Sequence, residues 1–390
     1  MYKIVENVKA GIEKPSAISN ALIGRRASNL DVSDCKRISH DDTFTVSIQH
    51  LQGDNCEGRF LLSGRSNGSL LLHNIKNMTT SMKYECKRLW KCTKADKDGH
   101  RYSVECVRWF PTDNGIFVSG GFDKTLKIWD TSCLECVETL RFEGKIYNFD
   151  LSPARTRNCT VAVCSSKGIV SILELHSGTN VHTLKHHQGD VLSCNWSPFE
   201  EHILATGGTD NKVLIWDIRS AKSCLMSLNR CNTKENNACN PCKNNFTAHT
   251  GAVNAVKFVR GGLKLVSCGT DNSIRLWDTL DGKNELVDYE SFVNSSKKSV
   301  QIDVSRFTTP EYMYIPCNDS INVYQVESGK LIKQLGGHFS NVNCCYYEPF
   351  QHELYSGCTD GLILIWCDDD LQSTTYCSSC DWPQIADFLG

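Results

Sequence analysis

The chain has 390 residues, enough for two or three average domains or one large toroidal unit, and 40% of it is hydrophobic. Its 42 Lys plus Arg against 44 Asp plus Glu leave a formal charge of −2, so no global basic field points to nucleic acid. The opening "MYKIVENVKAGIEKP" lacks the apolar core of a signal peptide, and no run approaches the roughly 18 apolar residues of a membrane helix, so a soluble intracellular protein is expected.

In chain order, residues 1–35 read as an N-terminal arm. Pro15 stands at a helix start, and Ile18, Ala21, Leu22, Arg25 and Arg26 follow at helical spacing with apolar groups on one side. Such a helix either caps a larger body or docks in a partner's groove. Next, "FLLSGRSNGSLLLHNI" (60–75) is a strand, turn and strand with Ser63, Asn67 and the pair His73-Asn74. The same phrase then returns in sharper form as "GFDKTLKIWDT" ending at Thr131, "GTDNKVLIWDI" at Ile218, "GTDNSIRLWDT" at Thr279 and "CTDGLILIWCD" at Asp368.

Each sharp copy holds Asp six places before Trp: Asp123 and Trp129, Asp210 and Trp216, Asp271 and Trp277, Asp360 and Trp366. Ser119, Thr206, Ser267 and Ser356 each lie four before the Asp, and His100, His187, His249 and His338 each lie 22 or 23 before it. A four-stranded blade needs its leading loop, inner strands and turn tied together, and this set can form one hydrogen-bonded chain across them. These His and Asp residues are therefore assigned to structure rather than catalysis.

Trp129 and Trp216 are 87 residues apart and Trp277 and Trp366 are 89 apart, each about two repeats of roughly 40–45 residues. Two degenerate copies fill the gaps. "VAVCSSKGIVSILEL" places Leu173-Glu174 at the Trp-Asp position, with Lys167 for Asp and Val163 for the hydroxyl. "MYIPCNDSINVYQV" places Tyr324-Gln325 there, with Asn318 and Tyr314 in the other two positions. Both are expected to have lost the whole polar set, since a half-satisfied network is worse than none. The count is seven, which predicts an all-β, seven-bladed propeller over 36–370, preceded by the helical arm and followed by a disordered tail at 371–390. The segment "SDCKRIS" before His40 is expected to supply the outer strand of the last blade and lock the chain ends together.

Residues 76–99 and 219–246 form long inter-blade loops. In the second, Cys239 and Cys242 make a C-x-x-C with Cys231 and Cys224 upstream, and Cys377 and Cys380 make another in the tail. Neither has a second pair at zinc-site spacing, so no metal is expected. Most of the 22 cysteines sit in apolar strand-like runs such as "SVECVRWF" and read as reduced, buried thiols. No Gly-rich phosphate loop, nucleophile elbow or carboxylate pair is present, so no catalytic or cofactor site is expected and the chain reads as no enzyme.

These repeats resemble the WD-repeat signature. "WDIR" (216–219) adds an arginine two after the Asp and resembles the box of propellers that serve as substrate receptors of Cullin-4 ubiquitin ligases. With "HRYSVECVRWFPTDNGIFVSGGFDKTLKIWDT", "HILATGGTDNKVLIWDIR", "NSSKKSVQI", "HELYSGCTDGLILIW" and the arm "GIEKPSAISNALIGRRASNL", the chain resembles the Cockayne syndrome group A family from about Gly11 to Trp366. The resemblance implies a non-catalytic nuclear receptor in transcription-coupled nucleotide excision repair. Its adaptor, damaged-DNA-binding protein 1, would meet Pro15, Ile18, Leu22, Arg25, Asp217 and Arg219 and so join a Cullin-4 and RING-protein ligase. The opposite face would hold repair factors such as the Cockayne syndrome group B protein near stalled RNA polymerase II. Positions flanking the repeated Asp and His give that face as Tyr102, Phe122, Asp190, Thr209, Thr270, Phe339, Asn341 and Thr359.

Two rival readings remain. One is a WD-repeat scaffold of another nuclear assembly without ligase connection. The other is direct binding of damaged DNA, for which Tyr102 and Phe122 beside Arg101 and Lys124 are the only hint.

Overall fold

A computed structural model describes residues 23–33, 36–38, 46–76, 84–153, 159–220, 224–233, 247–305 and 308–368. They form seven antiparallel sheets arranged as the blades of one propeller. Blade 2 shows the plan: Val104–Trp109 lines the channel, then Ile116–Gly121, Thr125–Asp130 and the outer Glu135–Arg141 follow by hairpins. Buried residues dominate the first three strands, while the outer strand alternates exposed with half-buried. That is the pattern of an inner strand covered on both faces and an outer one meeting water.

The hydrophobic core is divided among the joints between blades. Seven clusters of buried side chains occupy seven neighbour pairs, from Leu62, Leu72, Trp109 and Phe117 between blades 1 and 2 to Ile48, Leu51, Tyr346 and Ile365 between blades 7 and 1. Each blade is stabilised by two neighbours, so a ring without ends is the arrangement that leaves no apolar face uncovered.

The chain closes the ring differently from the sequence expectation. Leu30–Val32 pairs with Ile363–Asp368 and gives blade 7 its outer strand. The later Lys36–Ile38, within "SDCKRIS", instead runs parallel to Tyr84–Cys86 beside blade 1. The reason is burial: Leu30 is fully buried among Tyr314, Leu335 and Trp366, whereas Lys36 needs its ion pair with Glu353 at 2.6 Å and Arg37 stays exposed. Blade 5 also departs from the plan. It has three strands, because after Ile274–Asp278 the chain leaves the outer edge.

Residues 23–28 are helical and end on blades 6 and 7, where Ala27 is fully buried and its carbonyl accepts the Tyr314 hydroxyl at 2.8 Å. Pro15, Ile18, Leu22 and the tail 371–390 lie outside the described residues. Among the described residues no helix is long and apolar enough to cross a membrane.

Candidate functional site

The repeated polar set assembles in blades 2, 4 and 5. In blade 4 the Thr206 hydroxyl sits between His187 Nε2 at 2.8 Å and the Trp216 indole N–H at 2.8 Å, while His187 Nδ1 meets Asp210 at 2.9 Å. His100, Ser119, Trp129 and Asp123 repeat this in blade 2, and His249, Ser267, Trp277 and Asp271 in blade 5. Burial alone would raise the Asp210 carboxyl, but the hydrogen bond and charge of His187 outweigh it and hold it below the usual range. The chain of bonds joins the leading loop, the second strand, the third strand and the turn. His, hydroxyl, Trp and Asp are all engaged with one another inside the blade.

Blade 7 carries the same four residue types but not the same network. His338 Nε2 bonds Ser356, and Trp366 donates to the same hydroxyl, yet His338 Nδ1 has no hydrogen-bond partner among the described residues. Burial pushes this imidazole down to about 4, with the more distant Asp360 charge only partly offsetting it. Blade 6, expected to have lost the whole set, holds a shortened substitute. Ser295 donates to Asn318 at 3.0 Å, and the Tyr324 hydroxyl donates to the Glu290 carbonyl at 2.6 Å.

The turns between second and third strands and the histidine loops they bind define an upper face; the remaining turns define a lower one. On the lower edge of blade 4, Arg219 grips its own blade: its Nε and Nη2 reach Asp217 at 3.0 and 2.8 Å. That hydrogen bond holds the Asp217 carboxyl below its ordinary range, and 61% of the arginine side chain stays exposed. Leu263 and Leu280 on blade 5 are exposed at 61% and 79%, bridged by the Thr279 amide on the Leu263 carbonyl, and Phe199 lies against Gly261 next to them. Residues 23–28, with exposed Arg25, reach this same face at blades 6 and 7, where Gly24 nears the Thr309 carbonyl.

Between these points the channel opens downward as a cavity of about 770 Å³. Its wall is a belt that the sequence reading missed. Arg108 donates to Gln52 at 2.7 Å and forms an ion pair with Asp150 at 3.2 Å; Asn195 donates to the same Asp150 at 2.8 Å and accepts the Phe258 amide at 2.9 Å. Lys257 pairs with Asp303 at 3.0 Å, and Asp303 accepts the Tyr347 amide. Gln301, leading into blade 6, then makes both bonds to Leu51 of blade 1, so six blades are linked in one circuit and blade 7 joins it through Tyr347. The signal was present as a polar residue at the fifth place of five inner strands, Gln52, Arg108, Asp150, Asn195 and Lys257.

From above, the channel is stoppered. The stretch 294–300 bonds Asn272 and Asn254 of blade 5, and its Ser299 and Lys298 reach Asn148 of blade 3 and the Phe122 ring of blade 2 on the far side. The eight residues assigned to the upper rim all lie there, with different exposures. Phe339 and Tyr102 project, 91% and 65% exposed. Phe122 is half-buried, edge to face with Tyr147. Asp190 is engaged by the Tyr147 hydroxyl at 2.7 Å and the Lys167 amide at 2.9 Å. Thr209 and Thr359 are exposed and bond by their amides to the Asp190 and Asn341 carbonyls; Thr270 is half-buried.

Cys106 and Cys159 are thiols that burial pushes up to about 12 and about 11, which makes them packing groups rather than nucleophiles. Among the described residues no group of three or more His, Cys, Asp and Glu could hold a metal, and Cys239, Cys242, Cys377 and Cys380 lie outside them.

Comparison with known proteins agrees with this architecture. The family described as nucleolar protein 10-like, N-terminal domain, matches residues 153–379, more than half of the chain. The chain belongs to this β-propeller family. A WD domain, G-β repeat, matches residues 90–130. Among curated relatives, the WD repeat-containing protein ATCSA-1 of Arabidopsis thaliana is 28% identical over 94% of this chain and 95% of its own length. The radiation-sensitive protein 28 of Saccharomyces cerevisiae is 24% identical over 60% of this chain and 51% of its own. A ribosome biogenesis protein WDR12 homologue of Drosophila mojavensis is 33% identical over 33% of this chain and 30% of its own. The chain is thus a WD-repeat protein, of a class that typically serves as a non-catalytic scaffold.

Proposed function

We propose that this protein is a non-catalytic substrate receptor of a Cullin-4 RING ubiquitin ligase, of the Cockayne syndrome group A type. Residues 1–35 and the lower face around Arg219 bind the adaptor damaged-DNA-binding protein 1. The upper rim holds repair factors, the Cockayne syndrome group B protein among them, near stalled RNA polymerase II in the nucleus, and ubiquitin is placed by proximity. The observation that carries the reading is that the end of the arm and the WDIR arginine, far apart in sequence, lie on one face, beside the exposed Phe199, Leu263 and Leu280. An exposed apolar patch rimmed by an arginine is the composition of a protein-binding surface. The end-to-end match to ATCSA-1 supports the same reading, and the name of the yeast relative fits a setting in DNA damage.

The test is a pull-down of the purified chain by damaged-DNA-binding protein 1. Wild type is expected to bind. Removal of residues 1–22, which leaves the buried Ala27 in place, and Arg219→Ala are each expected to weaken binding by about tenfold or more. Absence of wild-type binding would overturn the proposal. The alternative is a scaffold of another nuclear assembly; the nucleolar protein 10-like match and the ribosome-biogenesis relative favour it, and it predicts that both variants are silent toward the adaptor.

A further inference from the structure

The upper rim is not uniform. At the residue that turns the chain between second and third strands, the backbone is left-handed in every blade. Blades 1 and 7 place Gly68 and Gly361 there, and blades 4, 5 and 6 place Asn211, Asn272 and Asn318. These are the residues that tolerate this conformation. Blade 2 instead holds Lys124 there, at φ of 65°; blade 3 has Gly168 at this place, and the residue before it, Lys167, is left-handed too, at φ of 70°. A lysine in this conformation costs about 1 kcal/mol that glycine or asparagine would largely avoid. Two neighbouring blades thus each accept local strain at a lysine in the same upper turn and gain a cation on the rim.

Three further cations join them. Arg101 is exposed on the leading loop of blade 2. Lys145, from the loop into blade 3, and Lys298, from the stretch that stoppers the channel, hold their ammonium groups 5.4 and 5.7 Å from the centre of the Phe122 ring. The ring quadrupole attracts each cation and brings two like charges to one side chain. Among the described residues, none of the side chains of Arg101, Lys124, Lys145, Lys167 and Lys298 forms an ion pair. The acids close by are fewer than these cations and offset their charge only in part. Asp123 is bonded to His100, Asp190 to Tyr147, and Glu105 lies buried below, its carboxyl raised by burial; Glu143 is exposed on the next loop. In a chain of net charge −2 this is a local excess of positive charge.

We propose that the upper rim of blades 2 and 3 is a docking site for an acidic peptide segment of a protein partner, its carboxylates received by Lys145 and Lys298 above Phe122 and by Lys124 and Lys167 along the rim. A protein segment is favoured over nucleic acid because single-stranded nucleic acid needs an open aromatic face for base stacking. Here the Phe122 ring already carries two ammonium groups and the edge-to-face contact of Tyr147. The inference deepens the reading of the upper rim as the partner-binding face and is independent of the adaptor contact below.

The test is fluorescence anisotropy on the full chain, with a labelled poly-glutamate peptide and a labelled oligothymidylate of matched charge. The peptide is expected to bind more tightly than the oligonucleotide. Lys145→Glu with Lys298→Glu should weaken the peptide about tenfold. Lys87→Glu with Lys330→Glu, the same change of net charge at exposed sites elsewhere, should leave it within about twofold. Equal weakening by both pairs, tighter binding of the oligonucleotide, or no peptide binding would each overturn the proposal. Unchanged thermal melting shows that the variants fold. The adaptor pull-down on the same samples separates failure here from failure of the ligase reading, since both charge pairs leave Arg219 and residues 1–22 intact.

Discussion

Blades 3 and 4 stand side by side and solve the same problem with opposite chemistry. Blade 4 ties itself together through His187, Thr206, Trp216 and Asp210; blade 3 fills the matching hydroxyl and indole positions with buried Val163 and Leu173. Their backbones nonetheless coincide in detail. The innermost pair of strands slips register at Val191/Ser193 in blade 4 and at Ile146/Asn148 in blade 3, and the outer pair slips at Ile215/Trp216 and at Ile172/Leu173. The bulges that twist a blade therefore do not depend on the polar chain. What the comparison teaches is that a fully satisfied network and a fully apolar joint are both stable, and the states between them are the costly ones.

The strongest way to break the comparison is Thr206→Val, which keeps the shape of the side chain and strands two buried nitrogens, on His187 and Trp216. It should lower unfolding stability by about 2–6 kcal/mol, at about 1–3 kcal/mol for each of the two orphaned groups. The reverse change in blade 3, Val163→Thr, buries a hydroxyl with no assigned acceptor and should cost about 1–3 kcal/mol. Denaturant titration of both decides: if Thr206→Val is the milder of the two, the network is dispensable.

Blade 7 sharpens the comparison through pH. Unfolded His338 takes up a proton below about 6.5, whereas in the folded protein it does so only near 4. In that window the unfolded state binds more protons, so stability falls as pH falls, by up to about 1.4 kcal/mol per unit for this one group. His249 is also lowered by burial, but the hydrogen bond and charge of Asp271 pull it back. His338→Gln should accordingly flatten the acid limb of a stability profile more than His249→Gln does.

The smallest effect is expected in blade 1. Ser63 keeps the repeated hydroxyl, fully buried, yet its Oγ has no hydrogen-bond partner among the described residues. Ser63→Ala should change unfolding stability by less than about 0.5 kcal/mol. A loss comparable with that of Thr206→Val would show that the residue belongs to a network after all.

Seven blades were legible because Asp, Trp, Ser or Thr and His recur at fixed offsets, and because the gaps between Trp129, Trp216, Trp277 and Trp366 had to be whole numbers of repeats. What escaped the sequence depends on convergence in space. The Arg108–Asp150 and Lys257–Asp303 pairs join strands whose partners are fixed only once the ring is closed. Leu30–Val32 is three residues long, too short for a period to show. Lys298 lies far from Phe122 in sequence and meets it only because the stretch after blade 5 crosses the channel. Blade 7 gave the opposite lesson, since four correct residue types did not guarantee that His338 and Asp360 would bond.

The clasp between Leu30–Val32 and Ile363–Asp368 also sets a timetable. Leu30–Val32 leaves the ribosome well before Ile363–Asp368, with the whole of the ring's other strands made in between. At 5–20 residues per second that wait is on the order of half a minute. Throughout it the blades already made present an unclosed joint, with Ile48, Leu51 and Leu61 facing the place that blade 7 will occupy. A newborn chain of this protein is therefore a customer for chaperones until its last blade arrives, and a message cut short before residue 363 yields a product that can never close.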